Sequence, residues 1–158
     1  MKFLVDTMLI KLGRYLRFLG YDTAIVTPET DWKSSAHANH IFVTTSRKHF
    51  EQWPFDKKIL LHSQGFENQL RELRGFIPLS IGENFLSRCS RCNAVLEPLS
   101  REAVLPQVPP LVAKNFEHFY RCPQCGKIYW EGGHVKRLKQ KLQRLGLDEQ
   151  NRKGDYDD

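Results

Sequence analysis

The first half of the chain alternates between short apolar runs and stretches in which apolar residues recur every three or four positions. Continuous apolar runs of this kind are typical of strands buried on both faces, and the longer spacing is typical of helices. Strands are predicted at 2–5, 21–26, 41–45 and 58–62. Helices are predicted at 8–19, at 67–73 and, with a weaker pattern, at 31–39. This alternation predicts an α/β domain over residues 1–80, with a parallel sheet covered by helices on both faces.

A change of pattern marks the end of this domain. Residues 74–84 are rich in glycine and proline and have no period, so a domain boundary is predicted there. The second domain, 85–146, closes with an amphipathic, basic helix whose apolar stripe is expected to pack onto the body of the protein. The apolar positions of that helix are Val135, Leu138, Leu142 and Leu145. Residues 147–158 are polar and acidic, which predicts a disordered tail.

All four cysteines lie in the second domain, as two pairs with two residues between the members of each pair. They are Cys89, Cys92, Cys122 and Cys125. Two such pairs joined by a hairpin supply the four thiolate ligands of structural zinc, which predicts a small zinc ribbon. Asn93 and Gly126 follow the pairs and suit the left-handed backbone of a metal knuckle. Disulfides and a redox-active dithiol are the alternatives; the lack of a secretory segment opposes the first, and the second copy of the pair opposes the other.

The chain is basic, with a net charge of +6 and a pI near 9.2, which favours a polyanionic partner such as RNA. The charge is concentrated on the first and last predicted helices. The candidate RNA-binding residues are Lys11, Arg14, Arg17, Lys136, Arg137 and Lys139. A solvated helix face is the alternative interpretation of both groups. No stretch approaches the roughly 20 apolar residues of a membrane span, so we expect a cytoplasmic protein that does not bind membranes.

Asp6 is the candidate catalytic residue that the pattern itself indicates. It stands between the first predicted strand and the first predicted helix. In an open α/β sheet, that position lies at the edge where ligands bind. An aspartate there is equally explained as the N-cap of the helix, which stabilises by about 1 kcal/mol. The pattern leaves both interpretations open.

Two stretches of the sequence together carry a family resemblance. The first is Asp6-Thr7-Met8-Leu9, Lys11-Leu12, Arg14, Leu16-Arg17 and Leu19-Gly20-Tyr21-Asp22-Thr23. The second is Ser87-Arg88-Cys89, Cys92-Asn93, Leu96, Phe119-Tyr120-Arg121-Cys122-Pro123, Cys125-Gly126, Tyr129-Trp130 and Gly133-His134. Together they resemble the small prokaryotic family named for the Mut-seven C-terminal RNase domain, and the resemblance covers about residues 1–145. It implies a PIN-like nuclease domain joined to a zinc ribbon, with a catalytic Mg²⁺ or Mn²⁺ site and hydrolysis of phosphodiester bonds in RNA.

The resemblance also implies which acids form that site. Asp6 matches the family's first acidic position, and Asp22 lies in its next motif. The family usually shows Thr-Arg-Asp after the third strand, whereas this chain has Thr44-Thr45-Ser46, so Ser46 replaces the expected second carboxylate. Asp31, Glu51 and Glu67 are the possible substitutes, and Asp31 is the one that we include among the candidate catalytic residues.

Three classes of function follow from these residues. The first is a metal-dependent endoribonuclease, favoured by Asp6 and opposed by Ser46. The second is a catalytically degenerate PIN-like module that binds RNA through its basic helices and its ribbon. The third is a protein-interaction module that zinc only stabilises, with a partner that the sequence does not identify.

Overall fold

Four parallel strands form the first sheet of the computed structural model, which describes residues 1–147. The strands are β1 (Lys2–Val5), β2 (Asp22–Ile25), β3 (Ile41–Thr44) and β4 (Lys58–Leu60). Their order across the sheet is β2-β1-β3-β4, and every neighbouring pair is parallel. Their carboxyl ends therefore lie at one edge, where ligands bind in open α/β folds. The predicted α/β class and the four predicted strands are confirmed.

Three helices accompany this sheet. They are α1 (Ile10–Phe18), α2 (Arg47–Gln52) and α3 (Phe66–Phe76). The helix predicted at 31–39 is wrong: that segment holds a short 3₁₀ turn, Ser35–His37, because it has no apolar stripe to bury and its Trp32 ring stacks on Phe42. The hydrophobic pattern does not predict α2, because none of the residues of α2 is buried.

Successive residues of each strand point to opposite sides of the sheet, and both sides are covered. Phe3 and Val5 lie in a buried cluster with the leucines of α1 and α3. Leu4 and Phe42 pack on the other side, against Trp53 at the end of α2. The prediction of a sheet covered on both faces is confirmed.

A second, antiparallel sheet follows in the chain. Its strands, in spatial order, are β5 (Glu97–Leu99), β6 (Phe119–Arg121) and β7 (Ile128–Tyr129). Two short helices, α4 (Arg101–Val104) and α5 (Pro110–Asn115), lie between β5 and β6. Pro110 is tolerated in the first turn of α5 because its missing N–H has no partner within the helix there. The second cysteine pair lies in the turn between β6 and β7, and the first pair lies in a turn that precedes β5.

The last helix, α6 (Gly133–Arg144), returns the chain to the first sheet. Leu142, Leu145 and Leu147 are buried in the same cluster as the leucines of α1. The closing helix therefore packs onto the body of the protein, as its apolar stripe predicts. The tail predicted for 147–158 lies outside the described residues, apart from the buried Leu147. No helix within residues 1–147 has the length and apolar composition needed to cross a membrane.

The first cysteine pair and the residue after it, 89–93, form a turn that we call the first knuckle, and Arg17 of α1 holds it against the first sheet. The Arg17 side chain is buried and donates to the backbone carbonyls of Thr23, at 2.9 Å, and of Ser90 and Arg91, at 3.0 Å each. This arginine therefore connects α1, β2 and the first knuckle. It is not on the solvent-facing stripe on which it was predicted to bind RNA, because it is only 7% exposed.

Asn93 makes a second connection at the same place. Its side-chain oxygen accepts from the Thr23 N–H at 3.0 Å, and its amide group donates to the Asp22 carboxylate at 2.7 Å. Arg88 adds a bond of 3.3 Å to the Gly20 carbonyl and one of 3.0 Å to the Asn93 carbonyl. The position of the ribbon relative to the first sheet is thus set by hydrogen bonds from Arg17, Arg88 and Asn93.

The buried Arg17 is expected to contribute more to stability than the exposed Arg14 on the same helix. Arg17→Ala leaves three backbone carbonyls without their charged donor, so it should lower the free energy of unfolding by at least about 3 kcal/mol. Arg14→Ala should change it by less than about 0.5 kcal/mol. Urea unfolding of both variants checks this. Equal effects of the two substitutions contradict the assigned role of Arg17.

Candidate functional site

The four cysteine side chains meet at one point between the two sheets. Their sulfur atoms all lie within 4.8 Å of one another, and the Sγ atoms of Cys89 and Cys125 are 3.7 Å apart. Asn93 and Gly126 have positive φ angles of 68° and 77°, and each donates its backbone N–H to the carbonyl of the first cysteine of its pair. The predicted left-handed knuckles are confirmed. The four thiols are positioned to hold one metal ion.

Hydrogen-bond donors surround the sulfur atoms. The backbone N–H groups of Gln124 and Cys125 both point at the Sγ atom of Cys122, at 3.4 Å. The Tyr129 hydroxyl donates to the Sγ atom of Cys89 at 3.2 Å. Donors of this kind orient thiolates and stabilise their negative charge. The sequence does not single out Tyr129 for this role, because the residue lies on the strand after the second pair and its contact with Cys89 is long-range.

The pKa values of Cys89 and Cys92 are shifted in opposite directions. Burial favours the neutral thiol of Cys89, but the bonds from Tyr129 and from the backbone of Cys92 and Arg91 lower its pKa to about 6. Burial and the neighbouring sulfurs raise the pKa of Cys92 to about 12. Four thiols this close resist full ionisation unless a cation shares the site. Four soft ligands, preorganised donors and the need for a divalent cation fit Zn²⁺.

Asp6 lies at the carboxyl end of β1 and is only 2% exposed. Its Oδ1 atom accepts from the Thr7 N–H at 2.8 Å, which makes it the cap of the 3₁₀ turn before α1. Its Oδ2 atom accepts from the Thr44 hydroxyl and from Nδ1 of His49, at 2.6 Å each. Both oxygens of this buried carboxylate are therefore occupied by donors from the protein.

His49 is a functional candidate that sequence reasoning missed. It lies on α2, its side chain is 34% exposed, and its ring is centred 5.0 Å from the ring of Trp32. Ser46 caps α2 by accepting from the backbone N–H of His49 at 3.1 Å. The cap and the bond to Asp6 fix the imidazole at the sheet edge. A histidine 43 positions from Asp6 in sequence gives no local signal of this pairing.

The other predicted catalytic acids do not join Asp6. Asp22 pairs in register with Lys2 at the amino end of the sheet, so it lies at the edge opposite Asp6 and binds Asn93 instead. Asp31 lies exposed in the connection after β2, and its carboxylate accepts no hydrogen bond from any other described residue. The Ser46 hydroxyl serves as the cap of α2.

Glu72 of α3 is a further acid at the carboxyl edge, next to the end of β4. It accepts the backbone N–H groups of His62 and Ser63, at 2.9 Å for the shortest bond to each. Burial raises the pKa of Glu72, but these bonds outweigh that effect and lower it below its ordinary value. Within residues 1–147, the cysteine cluster is the one group of three or more histidine, cysteine, aspartate or glutamate side chains close enough to share an ion. Among these residues, the carboxyl edge therefore holds no group of three or more carboxylate or histidine side chains that could share Mg²⁺ or Mn²⁺.

A cavity of about 620 Å³ opens between α1, β7 and α6. Its lining is largely aromatic and aliphatic. The main apolar side chains are Tyr15, Phe18, Phe116, Tyr129, Trp130 and Leu138. Lys127 and His134 also line it. Tyr129 links this cavity to the cysteine cluster, because its ring lies in the cavity wall and its hydroxyl binds Cys89.

Positively charged side chains of α1 and α6 lie beside this cavity. Lys11 of α1 and Lys141 of α6 place their Nζ atoms 4.4 Å and 4.9 Å from the centre of the Phe66 ring. Arg137, one turn before Lys141, lies next to His134, with 3.1 Å between its Nη2 atom and the His134 Nδ1 atom. We call the cavity together with Lys11, Arg14, His134, Arg137 and Lys141 the cavity face. Neither α1 nor α6 contains an acidic residue.

The remaining predicted RNA-binding residues point elsewhere. Lys136 is exposed but lines a second cavity of about 760 Å³, together with Glu83, Glu117 and Glu131. Lys139 is half-buried, with its Nζ atom 5.5 Å from the centre of the Phe85 ring. Of the six candidates, three therefore lie on the cavity face, two lie on the other side of α6, and Arg17 is buried.

A family model described as the Mut7-C RNAse domain matches residues 1–142, which include both sheets and most of α6. The comparison with curated proteins gave no match, and the comparison with solved structures gave none either. The matched range contains Asp6, the four cysteines and the hydrogen bonds that join the ribbon to the first sheet. The resemblance inferred from the opening motif and the cysteine pairs is confirmed. The chain belongs to the Mut7-C RNAse domain family.

Proposed function

We propose that this protein binds single-stranded RNA on its cavity face. The observation that carries the proposal is an aromatic-lined cavity bordered by cations from two neighbouring helices. Proteins that bind single strands combine these two features, because unpaired bases stack on aromatic rings while lysine and arginine contact the phosphates. The volume of about 620 Å³ is in the range of cavities that hold small ligands, and it leaves room for more than one nucleobase.

The charge around the cavity favours RNA over a protein partner. An apolar cavity alone suits either, but α1 and α6 supply only positive charges to its border. Glu83, Glu117 and Glu131 lie on the other side of α6, around the second cavity. Glu67 of α3 is the acid next to the cavity face, where it pairs with Lys141 at 3.4 Å and leaves Lys11, Arg14 and Arg137 to contact phosphates. A polyanion that passes Lys11, Arg14 and Arg137 gains phosphate contacts along its length. Family membership supports the same partner.

Metal-dependent cleavage, the first class of function expected from the sequence, has less support. It needs several carboxylates around a hard cation. Asp6 is buried with three protein donors, Asp22 is at the other edge, and Ser46 caps α2. RNA binding needs none of these groups, so we place it first.

We also propose that the cysteine cluster holds one structural Zn²⁺. Four thiolates favour zinc over hard cations, and all four positions are filled by the protein, as in closed structural sites. The metal secures the end of β7, where Tyr129 contributes to the cavity wall. Zinc in this position supports the RNA-binding surface without taking part in chemistry.

Purified protein should contain one zinc per chain, and Tyr129→Phe should weaken zinc binding by about tenfold or more, because the thiolate of Cys89 loses its hydroxyl donor. The matched control is Tyr120→Phe on β6, whose hydroxyl bonds to no sulfur among the described residues. Elemental analysis gives the stoichiometry, and competition with a chromophoric chelator gives the affinity. Iron at full occupancy, or equal zinc affinities in both variants, contradicts this assignment.

Replacing Arg14 and Arg137 by alanine should weaken binding to a mixed-sequence single-stranded RNA and flatten its salt dependence. Each lost phosphate contact should reduce the slope of log affinity against log salt by about 0.7. The charge-matched control is Lys57→Ala with Lys136→Ala, since both lysines are exposed and neither borders the cavity. Fluorescence anisotropy at several salt concentrations measures both quantities. Equal losses in the two variants contradict a localised RNA-binding face.

A further inference from the structure

The pairing of Asp6 with His49 has the form of an acid–base centre. A carboxylate can only accept hydrogen bonds, so the 2.6 Å contact requires Nδ1 of His49 to be the donor. The lone pair of the neutral imidazole then lies on Nε2, the nitrogen that removes protons in hydrolytic triads. Within residues 1–147, Nε2 makes no hydrogen bond, and the side chain is 34% exposed. The histidine is thus oriented by a buried carboxylate and open to a substrate.

The surroundings hold this arrangement in place. Thr44 donates to the same carboxylate oxygen at 2.6 Å, which fixes the carboxylate from the side of β3. The half-buried Trp32 lies beside the imidazole, and its ring is part of a stack with Phe42 and Trp53. Lys33 places its Nζ atom 5.5 Å from the centre of the Trp32 ring. An aromatic ring therefore lies beside the imidazole, and a cation packs on that same ring.

The pair also lies within reach of the cavity face. Asp6 precedes the first turn of α1, and Lys11, Arg14, Tyr15 and Phe18 follow along that helix. At 1.5 Å per residue, Thr7 and Phe18 are separated by about 17 Å along the axis. A single strand of several nucleotides spans this distance, in keeping with the site sizes of single-strand binding folds. RNA that is bound along α1 and continues past its first turn reaches the carboxyl edge of the sheet, where Asp6 and His49 lie.

We propose that His49, positioned by Asp6, cleaves RNA without a catalytic metal ion; this inference rests on the RNA binding proposed above. Nε2 of His49 takes the proton of a ribose 2′-hydroxyl, and the 2′-oxygen bonds to the adjacent phosphorus. The bond from phosphorus to the 5′-oxygen breaks, and that oxygen takes a proton from water while the imidazolium returns its proton to solvent. The products are a 2′,3′-cyclic phosphate and a 5′-hydroxyl end.

The test uses the zinc-loaded protein and a mixed-sequence RNA in buffer freed of divalent cations by a chelating resin, with the zinc content checked before and after. Wild type should cleave, leaving cyclic phosphate ends, and a strand of the same sequence with 2′-deoxyribose throughout should stay intact. His49→Ala should lower the rate by at least about a hundredfold, since a general base contributes 10²–10⁴. His62→Ala is the matched control, because His62 is exposed and follows β4 at the same edge.

Two further results separate a chemical role from a structural one. Added imidazole should restore part of the activity of His49→Ala, which a folding defect does not allow. Asp6→Asn should lower the cleavage rate at least about tenfold and leave RNA affinity unchanged, because the carboxylate orients His49 without contacting RNA.

Several outcomes overturn the inference. They are absence of cleavage without divalent cations, cleavage of the deoxyribose strand, 5′-phosphate ends, and equal rates in His49→Ala and wild type. RNA binding without cleavage overturns this inference and leaves the proposed binding function intact. Absence of RNA binding overturns both.

Discussion

Four sulfur atoms within 4.8 Å of one another are the constraint on which the second half of the molecule depends. Thiols this close share a site stably when a divalent cation balances their charge, and the ribbon is too small to fold on apolar burial alone. The first knuckle is then rigid enough for Asn93 and Arg17 to fix it against α1 and β2. Through Tyr129, the same cluster secures one wall of the cavity face. The position of the ribbon and the shape of the candidate RNA surface thus both depend on metal binding by the four cysteines.

At the carboxyl edge of the first sheet, the constraint is the buried carboxylate of Asp6. A buried carboxylate must be paired or fully hydrogen-bonded. Asp6 meets this requirement with donors from Thr7, Thr44 and His49, and no second carboxylate joins it among residues 1–147. In this member of the family, the carboxyl edge thus holds a hydrogen-bonded pair of Asp6 and His49. A histidine oriented in this way offers general-base chemistry in place of metal-activated water.

The sequence predicts the parts of the fold that repeat locally. The four apolar runs predict the strands, the leucines of α1 predict their helix, and the spacing of the cysteines predicts the ribbon. It does not predict α2, because a helix that buries none of its residues has no apolar period. The role of Arg17 is hidden for a related reason: it lies at helical spacing from Lys11 and Arg14, but a partner more than 70 residues away turns its side chain inward. Asp6 follows β1 and His49 follows β3, so the two residues come together because these strands are neighbours in the sheet. No short sequence motif indicates that pairing.

The most direct test of this account measures RNA affinity before and after zinc is removed from the protein. The account predicts that the zinc-free protein binds single-stranded RNA at least about tenfold more weakly and with a shallower salt dependence, because the cavity wall and the phosphate contacts next to it are lost together. Adding back one equivalent of Zn²⁺ should restore both, while circular dichroism shows that the helices of the first domain persist throughout. Unchanged RNA affinity in the zinc-free protein would contradict the claim that the metal cluster builds the RNA-binding face.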